Sequence, residues 1–235
     1  MKFGVVTFPG SNGDHDALSA VELGLGEEVA PVWHKDTSVD GFDALIIPGG
    51  FSYGDYLRPG AIGRFSPIMG AVAEFASAGK PVLGICNGFQ ILTEAGLLPG
   101  ALIRNSSLSF VCDWINVRVE TDRTPFTRGI DPGSVLRLPI AHGDGSYFVA
   151  PQQRDELEDG DQIVFRYSDR TGAVTPDSNP NGSVDNIAGV CNAAGNVVGL
   201  MPHPERAFDA VLGGAEGLRI LGAVLGAHAR EAVTA

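Results

Sequence analysis

Within the first hundred residues, four short apolar runs alternate with stretches of helical patterning. This alternation constrains the fold more than any other feature of the chain. Residues 3–7, 28–33, 42–47 and 81–85 read as strands, and residues 14–25 and 61–78 carry helical periodicity. Strands separated by helices pair in parallel, with helices on both faces of the sheet. Functional loops of such a sheet gather at the carboxyl ends of its strands. The loops after strands one, three and four, residues 8–13, 48–55 and 86–88, are therefore expected on one rim.

The second half is richer in strands, with candidates at residues 111–120, 135–140, 162–167, 187–191 and 197–201. Their directions cannot be read from pattern. A polar loop over residues 168–186, with two prolines and two glycines, is long enough to suggest binding or mobility. Residues 211–229 read as a packed C-terminal helix with Leu218, Leu221 and Leu225 towards the core. Glu216, Arg219 and five glycines argue against a membrane span there. At 235 residues and 44% hydrophobic, a single domain over residues 1–235 is the simplest reading.

The net charge of −12 argues against a nucleic-acid partner, which would need clustered Lys and Arg. Three widely spaced cysteines, Cys86, Cys112 and Cys191, suggest neither a disulfide framework nor a zinc site. A reducing cytoplasm is expected, and Lys2-Phe3-Gly4-Val5-Val6-Thr7 reads as a strand, not a cleavable signal.

The chemistry concentrates in two segments. Gly84-Ile85-Cys86-Asn87-Gly88 follows a buried strand and precedes a helical pattern over residues 87–95. A strand, a sharp turn and a helix with a thiol at the apex form the cysteine counterpart of the serine nucleophile elbow. At a helix start, Cys86 would face unpaired N–H groups and the positive end of the helix dipole, which favour the thiolate. Gly84 and Gly88 are expected to permit the turn.

The second segment is Met201-Pro202-His203-Pro204-Glu205. An extended His203–Glu205 stretch would project both side chains to one side, so that Glu205 orients the imidazole towards Cys86. Together these describe a Cys-His-Glu triad. Pro48-Gly49-Gly50, after the third strand, offers a backbone that can approach a substrate carbonyl. Gly50 and the backbone of Asn87 are the expected oxyanion donors. Pro9-Gly10-Ser11-Asn12-Gly13 lacks the ending of a phosphate loop. His15, His34, His142 and His228 form no ligand pattern with His203, so no metal is expected.

At these residues the chain resembles the class I glutamine amidotransferases. Gly84, Cys86, Gly88 and Gln90 match that family's elbow, and the His-Pro-Glu near the C-terminus and the Pro-Gly-Gly loop match as well. The segments Gly49-Gly50-Phe51-Ser52-Tyr53-Gly54-Asp55-Tyr56-Leu57-Arg58, Ala141-His142-Gly143-Asp144-Gly145 and Asn179-Pro180-Asn181-Gly182-Ser183 narrow the likeness. They are similar to those of glutaminase subunits serving an ATP-dependent synthetase of purine biosynthesis.

The resemblance implies a flavodoxin-like three-layer α/β sandwich with a mostly parallel central sheet. It implies that Cys86, His203 and Glu205 hydrolyse glutamine, with Gln90, His142 and Gly143 placing the substrate. It further implies partners: a large synthetase subunit, where ATP and magnesium would bind, and a small accessory subunit. No cofactor is expected on this chain. The alternative is a free-standing cysteine hydrolase of γ-glutamyl substrates, which would work without a partner.

Overall fold

The computed structural model describes residues 1–234, with side chains through residue 226. His228 lies outside the described side chains. Chain order gives β1 (Lys2–Thr7), α1 (Asp14–Ser19), β2 (Glu28–Trp33), β3 (Ala44–Ile47), α2 (Ile68–Ser77), β4 (Val82–Ile85) and α3 (Asn87–Glu94). There follow β5 (Ala101–Ile103), β6 (Val111–Val119), β7 (Val135–His142), β8 (Ser146–Phe148) and α4 (Pro151–Asp159). Last come β9 (Ile163–Ser168), β10 (Ile187–Cys191), β11 (Val197–Leu200) and α5 (Gly217–Thr234).

Nine strands form one sheet in the order β2-β1-β3-β4-β11-β10-β9-β6-β7. The first five pair in parallel, which is the flavodoxin-like arrangement with β11 as its fifth strand. The remaining pairings are antiparallel. The inner parallel strands β3 and β4 are buried on both faces and have no exposed residue at all. Although β7 is last in the order, Pro139 within it accepts a hydrogen bond from His203 N–H at 2.8 Å. The antiparallel half therefore curls back over the carboxyl ends of the parallel half. A separate antiparallel pair, β5 with β8, sits beside this rim and pairs Ile103 with Ser146.

Several sequence expectations are corrected. The helix expected over residues 61–78 is broken, because Pro67 pushes Ser66 to an extended ψ of 139° and α2 begins only at Ile68. The helix after β1 widens to a π-helical turn over Ala20–Leu25. The C-terminal helix begins at Gly217; Val211 and Leu212 before it are exposed, at 91% and 50%. Within α5, Ile220, Leu221 and Val224 are buried, while Leu218 and Leu225 are half-buried. The 168–186 loop is fastened from inside. Asn186 Nδ2 donates to Tyr167 O and Thr175 O, and Asn179 Nδ2 to Ser183 O.

Helix α3 lies so close to the sheet that side chains are excluded at the contact. A Cβ on Gly88 would stand 1.9 Å from the carbonyl oxygen of Ile47, and one on Gly84 would stand 2.5 Å from Leu92. Gly88→Ala should therefore force α3 off β3 and cost about 3 kcal/mol, at the upper end for overpacking. Gly70→Ala, in α2 with nothing within 4 Å, should instead stabilise by about 0.5–1 kcal/mol. Urea unfolding of the two variants checks both signs.

Candidate active site

The loops after β1, β3 and β4 meet as the alternation predicts. Ser11 bridges to Gly50, Gly13 N–H donates to Gly49 O at 3.1 Å, and Ser52 N–H donates to Asn87 Oδ1 at 3.0 Å. Cys86 stands at the apex between β4 and α3 with φ 51° and ψ −104°. The positive φ falls on the cysteine itself and not on Gly84 or Gly88, whose role is to let the helix pack. The sulfur is 3.8 Å from the carbonyl oxygen of Ala141, in β7. Asn87 opens α3, so its N–H is one of the unpaired amides of the first turn.

His203 and Glu205 are delivered by β11, which lies next to β4 in parallel register, Leu200 opposite Ile85. Residues 204–206 form a 3-10 turn, not the extended segment expected. The turn brings Glu205 back onto the ring: Oε1 is 2.6 Å from His203 Nδ1. Both residues are buried, Glu205 completely. Burial alone would push the imidazole down, but the Glu205 charge and then Cys86 outweigh it and hold His203 up at about 10. His203 Nε2 has no hydrogen-bond partner of ordinary length. The nearby sulfur nonetheless favours the protonated ring. Gly49 closes the site from above, where a Cβ would meet His203 Cε1 at 2.8 Å.

The other two cysteines lack these features. Cys112 is exposed, and burial pushes the Cys191 thiol up to about 11.

A cavity of about 240 Å³ opens onto Cys86, with Gly50, Gln90, His142 and Gly143 in its walls. It falls below the ~300 Å³ floor of drug-sized pockets and suits a molecule of amino-acid size. Gln90 spans the site, its Nε2 donating to Asp144 O at 2.6 Å while its Oε1 accepts from Asn87 Nδ2 at 2.9 Å. The His142 ring is held from behind. Its Nδ1 lies 3.2 Å from Asn105 Oδ1 and its Nε2 3.5 Å from Asn181 Nδ2. Because Asn105 Nδ2 donates to Ser109 O and His142 O, its Oδ1 faces the ring, and Nδ1 carries the proton. Burial, reinforced by His203, lowers His142 to about 4, so this ring is neutral.

Asp55, Arg104 and Asp144 also line the cavity. Sequence reasoning gave them no chemical role, although Asp55 and Asp144 lie in segments that carried the resemblance. Nothing near Arg104 signals a site; only the β5–β8 pairing brings it to the rim. Among the described residues no cluster of three or more His, Cys, Asp or Glu could hold a metal ion. No helix there is long and apolar enough to cross a membrane.

A nucleophile elbow, a buried His–Glu pair and a glycine loop over both are the parts of an amide-cleaving thiol enzyme. The family profile of the CobB/CobQ-like glutamine amidotransferase domain matches residues 1–214. The chain is 66% identical over 225 residues to phosphoribosylformylglycinamidine synthase subunit PurQ of Thermomicrobium roseum, covering 96% of this chain and 95% of the relative. The chain belongs to the PurQ family of glutamine amidotransferases. The PurQ subunit of Acaryochloris marina is 55% identical over 235 residues, the whole of both chains. Among solved structures, PurLQS from Thermotoga maritima superposes with a TM-score of 0.84 at 44% identity, covering 96% and 97% of the two chains.

The raised His203 makes the stability of the fold depend on pH. Its folded value of about 10 lies above the ordinary 6.5. The folded chain thus binds the proton more tightly, and this stabilisation is complete below about pH 6.5 and lost as pH rises through about 10. Glu205→Gln removes the larger upward push, so its unfolding midpoint in urea should fall less across that window than the wild type's.

Proposed function

We propose that this protein is the glutaminase subunit of phosphoribosylformylglycinamidine synthase, and that Cys86, His203 and Glu205 are its catalytic triad. The observation that carries the reading is the Glu205–His203 pair at 2.6 Å, seated beside a cysteine with φ 51° at a helix start. Likeness to PurQ subunits over nearly the whole chain supports it.

Cys86 Sγ attacks the side-chain amide carbon of glutamine, and the carbonyl oxygen becomes an oxyanion facing the Gly50 and Asn87 amides. His203 gives its proton to the departing nitrogen as the C–N bond breaks and ammonia leaves. The thioester that remains is opened by water, whose proton His203 accepts, and glutamate departs as the sulfur is released. Glu205 keeps Nδ1 protonated and the ring turned towards Cys86. Gln90, His142 and Gly143 shape the wall against which the glutamine lies.

The ammonia would then serve a large synthetase subunit that holds ATP and magnesium and forms the amidine. A small accessory subunit would complete the assembly, as the relative solved as PurLQS suggests. A cytoplasmic site of action accords with three free cysteines.

Glutamate release by the purified chain should be low alone and rise with the synthetase, ATP and formylglycinamide ribonucleotide. High release indifferent to that mixture would indicate a free-standing γ-glutamyl hydrolase. Cys86→Ala should abolish glutamine-dependent synthesis by the complex while ammonia-dependent synthesis persists; loss of both would make Cys86 structural. His203→Ala should lower kcat by about 10⁴-fold or more, and Glu205→Gln by one to two orders of magnitude less.

A further inference from the structure

The turn that delivers the base carries one more charge than the triad uses. Arg206 follows Glu205 directly, and its N–H donates to His203 O at 3.2 Å, so ring, carboxylate and guanidinium belong to one turn. Arg206 Nε lies 4.0 Å from Glu205 Oε1, the same oxygen that holds His203 Nδ1. It also donates to Asp16 Oδ2 of α1 at 2.9 Å. The start of α5 fastens the turn from beyond, where Gly217 N–H donates to Ala207 O at 2.8 Å.

We infer that Arg206 is a positioning residue for the second half of the reaction. Its charge balances the buried Glu205 carboxylate once His203 has given up its proton, so that the neutral ring stays available to accept one from water. This inference rests on the glutaminase reading above and concerns the interval between ammonia release and thioester opening.

Glu205 is completely buried, and its Oε2 has no hydrogen-bond partner. A carboxylate so placed depends on positive charge beside it. While His203 is protonated, the ring supplies that charge. Once the proton has gone to the departing nitrogen and the sulfur is bound as a thioester, the ring and Cys86 are both neutral. Arg206 is then the cation left at the carboxylate, and among the described residues no other Lys or Arg comes within 4.0 Å of it. The remaining groups on the elements around the turn do not replace it. From β7 come His142, which is neutral, and Arg137, which is exposed and lies over Trp114. From α1 come Asp14 and Asp16, which add negative charge, and an exposed His15. At α5, Arg219 is exposed and Glu216 accepts from Arg137 N–H. The guanidinium itself feels the site. Burial opposes its charge, but Glu205 first, then Asp16 and finally Cys86 outweigh that and hold it up. Without Arg206, the buried carboxylate would be relieved by the ring taking a proton from solvent, which removes the base before water can use it.

The test uses the assembled complex at saturating glutamine. Glutamate release is followed against pH, and the γ-glutamyl thioester on Cys86 is read by intact-protein mass spectrometry after acid quench. Arg206→Met should move the acid limb of kcat up by about one pH unit, the scale of one lost charge in a partly screened site, with KM changed less than about threefold. Below that limb the thioester should accumulate, because Cys86 still attacks while water opens the product slowly. Arg206→Lys should return most of the shift. Asp16→Asn separates charge from architecture: it breaks the same ion pair but leaves the guanidinium at Glu205, so its acid limb should not move up. Ammonia-dependent synthesis by the same complexes reports whether each variant assembles, and Arg206→Gln carries the same expectation if Arg206→Met does not.

An acid limb that stays at the wild-type position in the Arg206 variants would overturn the assignment. So would an equal rise in Arg206→Met and Asp16→Asn, which marks the ion pair as structural. If the wild-type complex released no glutamate from glutamine while still using ammonia, the glutaminase reading itself would fall, and this assignment with it.

Discussion

The geometry of the site depends on one strained residue. Cys86 at φ 51° and ψ −104° occupies backbone that costs about 1–3 kcal/mol for a residue with a side chain. The neighbouring contacts hold it there. Its N–H donates to Leu200 O at 2.8 Å, and its carbonyl accepts from Gln90 N–H at 3.1 Å as α3 begins. Bare glycines at 84 and 88 let that helix lie directly on β3 and β4. With the chain bent so sharply, the sulfur projects from the rim instead of into the sheet, and the first amides of α3 face the same space. The strain thus fixes Cys86 and the proposed oxyanion donors together. The place of His203, the proposed base, follows from sheet order, because β11 is the parallel neighbour of β4 and its carboxyl end lies beside the elbow.

What the sequence made legible follows from the range of the interactions involved. The parallel half and the elbow could be read because each is announced by a contiguous pattern, such as an apolar run ending in Gly84-Ile85-Cys86-Asn87-Gly88. The His203–Glu205 pair was legible as composition but not as geometry, since the 3-10 turn at Pro204 replaced an extended strand while preserving the contact. The helix at residues 61–78 failed at Pro67, where local chemistry was visible and overridden by periodicity. At residues 211–216 the limit was different. Apolar content there resembles a helix, but Gly213 has φ 111° and packs where a Cβ would meet Trp114 at 2.8 Å. Such a contact between distant segments leaves no local trace. Asn105 and Asn181 are both fully buried; Asn105 left no local trace, and Asn181 was legible only as part of the segment that carried the resemblance, because their contacts to His142 and Gly145 join distant segments.

Those two asparagines matter because the site contains two buried histidines that must not behave alike. His203 sees a carboxylate at 2.6 Å and is held at about 10. His142, buried and beside the His203 ring, is lowered to about 4. Opposite shifts on neighbouring groups are how a single site assigns separate acid–base roles at one pH. Had both rings been charged, their repulsion would have worked against the proton held on His203. Asn105 accepts the one proton that His142 keeps, and Asn181 offers a donor to its other nitrogen, so the neutral ring is satisfied on both sides. The 168–186 segment, whose polar composition suggested mobility or binding, therefore contributes through rigidity. Asn181 also donates to Gly145 O at 2.8 Å, which fastens the backbone that carries His142, Gly143 and Asp144 along the cavity wall. Burial and the neighbouring His203 keep the second ring neutral, and the buried amides around it satisfy both of its nitrogens.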